Sequence, residues 1–349
     1  MSEWNRSRRA KNGKFLNEIP AMNKLTARDV FSLLREMMSS RTLRKPARPL
    51  PVVPLGQEAL RDGQDKVVWF GHSAGLLQLD GKTILIDPML GRSPSPIPFG
   101  RNRRYSVGLP ISIDELPRVD IVVLSHDHYD HLDSGSIRKL IPKTDLFLVP
   151  LGVGKRLRKR GAAADAVIEM DWGDEREAKG IRFACAPARH FSGRGLFDRD
   201  STLWCSWIIK TESRSLFYSG DGGYGPHFKR IGEQHGPFDL AIMECGQYDE
   251  RWHGVHMLPE ETVQAFLDVK GEELLPVHWG GFTLALHAWN DPAARVSAEA
   301  EKRGVTIRIP RIGEVVYLGR GAEEPHPDSP WWKSQTNRPL NNGNVVQFG

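Results

Sequence analysis

Apolar residues in this chain fall largely in runs of four or so, bounded by Gly, Pro, Asp or Ser, the pattern of strands buried inside a sheet. Val67 to Phe70, Ile121 to Leu124, Leu146 to Val149, Ile181 to Ala184, Leu240 to Met243 and Leu274 to Val277 each predict such a strand. Two stretches predict hairpins: Leu76 to Ile86, turning at Asp80-Gly81, and Ser206 to Lys210 with Ser215 to Ser219. Helices are predicted at Lys155 to Arg160, Pro259 to Val269 and Asp291 to Lys302, and strands at Thr306 to Ile309 and Val315 to Leu318 complete the order. Strands and hairpins first, with helices interspersed later, point to the α+β class, with two packed mixed sheets flanked by helices in an αββα sandwich.

The N-terminal stretch has a different pattern. Thr26 can cap a helix from Ala27 to about Ser39, with Val30, Phe31, Leu33, Leu34, Met37 and Met38 at helical spacing on one face. That stripe suits the protein's own core or a second copy of the chain in a homodimer. It also suits a membrane surface, because Arg28, Arg35, Arg41, Arg44, Lys45 and Arg48 flank it and can meet anionic headgroups. Pro46, Pro49, Pro51 and Pro54 then form a stiff linker. This divides the chain into a basic N-terminal segment at 1–55, one large domain at 56–320 and a polar tail at 321–349, with Trp331-Trp332 packing the tail onto the body.

Charge and cysteine content narrow the setting. Residues 1 to 50 hold twelve Lys and Arg against four Asp and Glu, so the overall +5 conceals a net −3 over the remainder. Cys185, Cys205 and Cys245 are odd in number and far apart, which excludes a disulfide framework and suits a reducing compartment. No signal-peptide core follows Met1, and no apolar stretch approaches the roughly 18 residues of a membrane span. The expectation is a cytoplasmic protein, soluble or peripheral at the inner face of a membrane.

Candidate chemistry is concentrated after the Ile121 to Leu124 run, in Ser125-His-Asp-His-Tyr-Asp-His-Leu-Asp133. His126, His128, Asp130 and His131 put four ligands suited to zinc, iron or manganese within six residues, and such a turn can present two pairs of them to adjacent ions. His190 follows another strand, Gly220-Asp-Gly-Gly-Tyr224 surrounds Asp221 with glycines that let the backbone approach an ion, and His278-Trp-Gly280 ends a third strand. His72 and Asp87 also sit at strand ends. Asp87 either orients a ligand or simply forms a turn before Pro88.

The His-x-His-x-Asp-His motif resembles that of the metallo-β-lactamase superfamily. Together with Gly220 to Tyr224 and His278 to Gly280, the wording is similar to the N-acylphosphatidylethanolamine-hydrolysing phospholipase D group, over about Lys11 to Arg320. The resemblance implies the αββα sandwich and a dinuclear centre, with His126, His128 and His190 on one ion, Asp130, His131 and His278 on the other, and Asp221 bridging. It implies a catalytic role for Asp130 and Asp221, and it matches His256 to a histidine at the mouth of the site, where a surface histidine beside a helix start is the plainer alternative.

Two divalent ions, zinc foremost and iron or manganese as substitutes, can hold a hydroxide between them at neutral pH and clamp an oxygen of the scissile group. Only Asp130 and Asp221 offset their charge, so an anionic phosphodiester is the expected substrate and a phospholipid the leading one. A lactonase of the ascorbate-lactone type, a nuclease and a metal-stabilised scaffold without turnover are the alternatives. The run Lys155 to Arg160 is read first as a solvated face, which makes nucleic acid an unfavoured partner. Arg101, Arg103 and Arg104, in the aperiodic loop Gly91 to Gly108, either meet a phosphate or are solvated. His227, His235, His253, His287 and His326 receive no role.

Overall fold

The run from Ile121 to Leu124 shows why strands form where they do. Ile121 and Val123 point into the core between two sheets, whereas Val122 and Leu124 point into a second core beneath a layer of helices. Period-two alternation therefore has no polar phase here, and a strand covered on both faces reads as an unbroken apolar run. The same division puts Val67 and Trp69 in the inner core and Val68 and Phe70 in the outer one.

A computed structural model of the chain describes residues 6–10, 12–21, 26–39, 43–95, 102–319 and 330–334. The order begins with a ribbon of β1 (Arg8–Arg9) and β2 (Phe15–Leu16), then α1 (Ala27–Ser39) and α2 (Gln57–Arg61). Next come β3 (Lys66–Trp69), β4 (Gly75–Leu79), β5 (Lys82–Ile86), β6 (Val119–Val123), α3 (Ser134–Leu140), β7 (Thr144–Pro150), α4 (Gly154–Arg158) and β8 (Val167–Met170). The second half supplies β9 (Glu175–Ala178), β10 (Ile181–Ala186), β11 (Ser206–Lys210), β12 (Ser215–Tyr218), α5 (His227–His235), β13 (Phe238–Glu244), α6 (Pro259–Asp268), β14 (Gly271–Val277), α7 (Asp291–Arg303) and β15 (Thr306–Ile307). Then β16 (Val315–Tyr317) and α8 (Trp331–Ser334) complete it.

The strands form two seven-stranded sheets, ordered β16-β3-β4-β5-β6-β7-β8 and β15-β14-β13-β12-β11-β10-β9. Each sheet is antiparallel in one part and parallel in the other, with β5, β6, β7 and β8 parallel in one and β12, β13, β14 and β15 parallel in the other. Apolar residues of α2, α3 and α4 cover the first sheet, and those of α5, α6 and α7 join the core of the second. This is the expected αββα sandwich. β16 returns to the first sheet and pairs with β3, Val315 opposite Val68, so the end of the domain closes on its beginning.

Several elements are absent from the sequence reading: β8, β9 and α3, and also the β1–β2 ribbon, α2, α5 and α8. β8 and β9 each form one edge of a sheet; Glu-Arg-Glu-Ala of β9 is largely exposed, and in β8 Glu169 interrupts the short run of Val167, Ile168 and Met170. α3 spans seven residues, about two turns, with only Ile137 and Leu140 as apolar positions to mark it, although Asp133 caps it by accepting from the Ser136 N–H.

The N-terminal stretch is pinned rather than freely extended. Leu50 is buried and donates its N–H to the Tyr105 carbonyl, and Val53 and Leu55 donate theirs to Ile312 and Pro110. Thr26 caps α1 through the Asp29 N–H at 3.2 Å, and Arg251 ties the helix to the body through Glu36 and Ser32. Phe31 and Leu34 remain 69% and 54% exposed, so these two members of the stripe lie outside the protein's own core. The side chains of Val30, Met37 and Met38, Arg41, and the tail at 321–329 and 335–349 lie outside the described residues.

Tryptophans join the layers. Trp279, one residue beyond the candidate ligand His278, stacks on Trp69 with ring centres 5.1 Å apart and on Trp331 at 5.6 Å. Trp331 also donates to the Ile309 carbonyl. Replacing Trp279 with alanine is therefore expected to cost about 3–5 kcal/mol, read as a lowered midpoint of urea unfolding.

Candidate metal centre

Strand direction gathers the candidate ligands. β3, β5 and β6 run the same way in the first sheet, as do β10, β12, β13 and β14 in the second. Every candidate lies beyond the C-terminal end of one of these strands: His126, His128, Asp130 and His131 after β6, His190 after β10, Asp221 after β12 and His278 after β14. Close backbone approach permits this, since a Cβ on Gly220 would stand 2.5 Å from the Cys205 carbonyl oxygen.

All seven residues meet in two donor sets. In one, His128 Nδ1 is 2.8 Å from His126 Nε2 and 3.3 Å from His190 Nε2. In the other, Asp130 Oδ2 is 3.5 Å from His131 Nε2 and 3.3 Å from His278 Nε2. Asp221 Oδ2 lies between them, 3.0 Å from both His131 and His278 and 4.0 and 3.9 Å from His126 and His190. Tetrahedral ligands at zinc distances are separated by roughly 3.3 Å, so both sets have the spacing of an ion's donors.

Hydrogen bonds behind the rings decide which nitrogen faces inward. Ser125 uses its hydroxyl proton on Asp87, so its oxygen accepts from His126 Nδ1–H and leaves the His126 Nε2 lone pair toward the cluster. His190 Nδ1–H donates to the Val255 carbonyl and His131 Nδ1–H to Asp87 Oδ2, with the same result. Asp87 is the hub of this support: fully buried, it accepts from the Ser125 N–H and hydroxyl, the Tyr218 hydroxyl and His131. Its backbone sits at φ +37, which a mere turn before Pro88 does not require.

The charges fit a cation. Burial pushes the His126, His128 and His190 pKa values down, His128 to about 4, which leaves neutral lone pairs. Burial opposes charge on Asp130 and Asp221 as well, but His131 and His278 outweigh it and hold both carboxyls well below their usual range. His131 and His278 are in turn held well above 6.5, against burial, by the carboxylates around them. The buried Asp221 and the largely buried Asp130 thus demand positive charge here, which a bound metal would supply. Asp221 Oδ1 is also buried without a hydrogen-bond partner. The donors present therefore fit the metal that the motif implies.

Three supporting residues were not assigned from the sequence. His72 Nε2 lies 2.9 Å from Asp130 Oδ2, and burial, with His278 beside it, lowers its pKa to about 3. Glu244, buried at the end of β13, accepts from His256 Nδ1 at 3.0 Å and the Met257 N–H at 3.0 Å. Tyr218 completes the Asp87 shell. A histidine at a strand end was visible in the case of His72, but Glu244 and Tyr218 lie within apolar strands and carry no separate signal.

His256 stands against His190 and His278 in a cavity of about 270 Å³ whose floor includes Asp130 and Asp221 and whose walls include Phe191, Trp252, Val255 and Leu284. The basic residues are elsewhere. Arg104 points inward and donates to the carbonyls of Phe70, Gly91 and Met89, so it is a structural brace rather than a phosphate contact. Arg103 lines a separate cleft of about 570 Å³ that contains none of the cluster, and Arg101 lies outside the described residues. Arg156 pairs with Asp127 and Asp198, and Arg158 with Glu169, so these arginines of the basic run are held by neighbouring carboxylates. Of the unassigned histidines, His253 pairs with Glu261, His287 accepts from the Gln247 N–H, and His326 lies outside the described residues.

Asp87→Ala removes four hydrogen-bond partners from beneath the motif loop at once. It is expected to weaken metal binding by about 10- to 100-fold, measured by competition with a chromophoric chelator.

Comparison with known proteins agrees with this geometry. Residues 82–279 match the family described as "Beta-lactamase superfamily domain". An uncharacterized protein of Mycobacterium tuberculosis is 39% identical over 330 residues, covering 93% of this chain and 87% of that one. The N-acyl-phosphatidylethanolamine-hydrolyzing phospholipase D 1 of Caenorhabditis elegans is 36% identical over 229 residues, 62% of this chain and 64% of its own length. Among solved structures, Igni18, a metallo hydrolase from the archaeon Ignicoccus hospitalis, superposes with a TM-score of 0.55 at 23% identity, covering 74% of this chain and 99% of that one. The chain belongs to the metallo-β-lactamase superfamily and is a metal-dependent hydrolase.

Proposed function

We propose that the protein is a dinuclear phosphodiesterase that cleaves N-acylphosphatidylethanolamine in the manner of a phospholipase D, releasing an N-acylethanolamine and a phosphatidic acid. The observation that carries this reading is Asp221 Oδ2 standing between two donor sets at the floor of a cavity with apolar walls. His126, His128 and His190 would hold one ion, Asp130, His131 and His278 the other, and Asp221 both, with zinc the ion best suited to these donors. When bound, two divalent ions supply a nucleophile from water at neutral pH and offset charge on the phosphoryl oxygens.

The chain's own groups set the rest. Asp130 and Asp221 leave a pair of divalent ions with net positive charge, which favours an anionic diester. Phe191, Trp252, Val255 and Leu284 offer apolar surface to the lipid beside the phosphate. His256, its Nδ1–H held by Glu244, has Nε2 left for the substrate, where it can polarise the phosphate or assist the departing ethanolamine oxygen. The similarity to a worm phospholipase of that specificity supports the same substrate.

The test is hydrolysis of N-acylphosphatidylethanolamine in mixed micelles by protein of measured metal content, beside bis(p-nitrophenyl) phosphate and a lactone. Wild type is expected to cleave the lipid, and Asp221→Ala to lose cleavage by a factor of 10³ or more, on the order of what a preorganised charge centre contributes. Turnover of the lactone alone would discard the phosphodiester assignment.

A membrane-borne substrate also requires a surface that meets the bilayer. The described residues contain no helix long and apolar enough to cross a membrane. Phe31 and Leu34 on α1, and the adjacent Leu196 and Phe197, each 92% exposed on the loop after His190, are proposed to provide peripheral contact. Serine at Phe31 and Leu34, or at Leu196 and Phe197, is expected to reduce co-sedimentation with anionic vesicles while turnover of the soluble diester stays unchanged. Vesicle binding equal to wild type in both pairs would remove the contact from the proposal.

A further inference from the structure

His72 lies outside the motif and outside the ligand assignment, yet it is fully buried against the second donor set. Its Nε2 is 2.9 Å from Asp130 Oδ2, the same oxygen that faces His131 and His278. Its Nδ1 is buried with no hydrogen-bond partner. A neutral imidazole has one proton for two nitrogens, and only Nε2 has an acceptor in reach, so the proton belongs there. A nitrogen that carries a proton toward a carboxylate has no lone pair to offer an ion.

The backbone holds this geometry firmly. His72 has φ +58, a conformation that costs a histidine on the order of 1 kcal/mol and persists only where its surroundings fix it. The fixing is visible: His72 N–H donates to the Trp279 carbonyl, His278 N–H donates to the His72 carbonyl, and Trp69 Nε1–H donates to that same carbonyl. Gly281 makes the close approach possible, since a Cβ there would lie 2.6 Å from His72 Cβ. The ring is then covered by His278, with centres 4.3 Å apart, and by the edge of Phe282.

We propose that His72 is a positioning residue: it donates Nε2–H to Asp130 and so fixes this carboxylate for the ion shared with His131 and His278. The inference rests on the dinuclear reading given above and adds to it a residue that sets the affinity of one ion and leaves the other alone. Because the β3–β4 turn and the segment after β14 are tied together at His72, the donor and the ligand His278 move as one unit. A shift of either would displace Asp130 as well.

The test compares wild type, His72→Leu and His72→Gln by chelator-competition titration with Zn²⁺ and with Co²⁺, followed by elemental analysis. Wild type should bind two ions. His72→Leu should weaken one of them by about 10- to 100-fold and leave the other unchanged, with a change in the Co²⁺ visible spectrum assigned to the weakened site. His72→Gln, whose amide N–H can reach the same point, should recover most of that affinity. Equal affinities in wild type and His72→Leu would overturn the proposal. So would a folded His72→Gln as impaired as His72→Leu, since a ligand or a packing residue is not rescued by a donor. Wild type that takes up only one ion would defeat the dinuclear reading itself, an outcome distinct from two ions with no effect of His72.

Discussion

Asp221 is a buried carboxylate and Asp130 a largely buried one, and the arrangement around them follows from the cost of leaving such charge unpaired. Each is surrounded by imidazole nitrogens aimed inward, and each of those rings must be held in place from outside. That requirement extends the centre by one layer, to Asp87 behind His131 and Ser125, the Val255 carbonyl behind His190, and Glu244 behind His256. The outer layer is itself buried and hydrogen-bonded, so the site is an interior polar network. Such a network is rigid when every member is satisfied and costly when one is missing.

This layering explains what could be read from the sequence. His126, His128, Asp130 and His131 were legible from their density in one loop, whereas His190, Asp221 and His278 look like ordinary residues after strands and were assigned only through the family resemblance. The strands were legible where burial on both faces removes polar positions, as in Ile121 to Val123 of β6 and Leu274 to Val277 of β14, although both strands carry acidic residues near their start. The outer layer was mostly silent. Glu244 and Tyr218 close apolar strands and resemble ordinary strand ends, and the donation from His72 to Asp130 joins positions 58 residues apart. Arg104 was misleading because a basic residue in a glycine- and proline-rich loop looks solvated, whereas its guanidinium satisfies three interior carbonyls.

The edges of the sandwich show the opposite limit. β9 pairs on one side only, and its Glu-Arg-Glu-Ala sequence obeys the demands of a rim, charge and exposure, and not those of a core. α1 follows neither rule. It has an N-cap and an apolar stripe, but Phe31 and Leu34 face outward and the helix is anchored through polar contacts to Arg251, next to the cavity wall at Trp252.

The two sheets divide the centre between them. The first contributes His126, His128, Asp130 and His131 with Asp87 and His72 in support, and the second contributes His190, Asp221 and His278 with Glu244. Neither donor set is complete within one sheet, since His190 belongs with His126 and His128, and His278 with Asp130 and His131. The centre therefore exists only when the sheets are packed at their final separation, and the Trp69–Trp279 stack lies beside the point where they meet. Ions that bind both halves bind the folded chain in preference to the unfolded one, so their affinity is also folding free energy. Assembly of the inner core and assembly of the donor cluster are in this sense one event, and whatever loosens the packing between the sheets acts on the cluster before it touches any of its side chains.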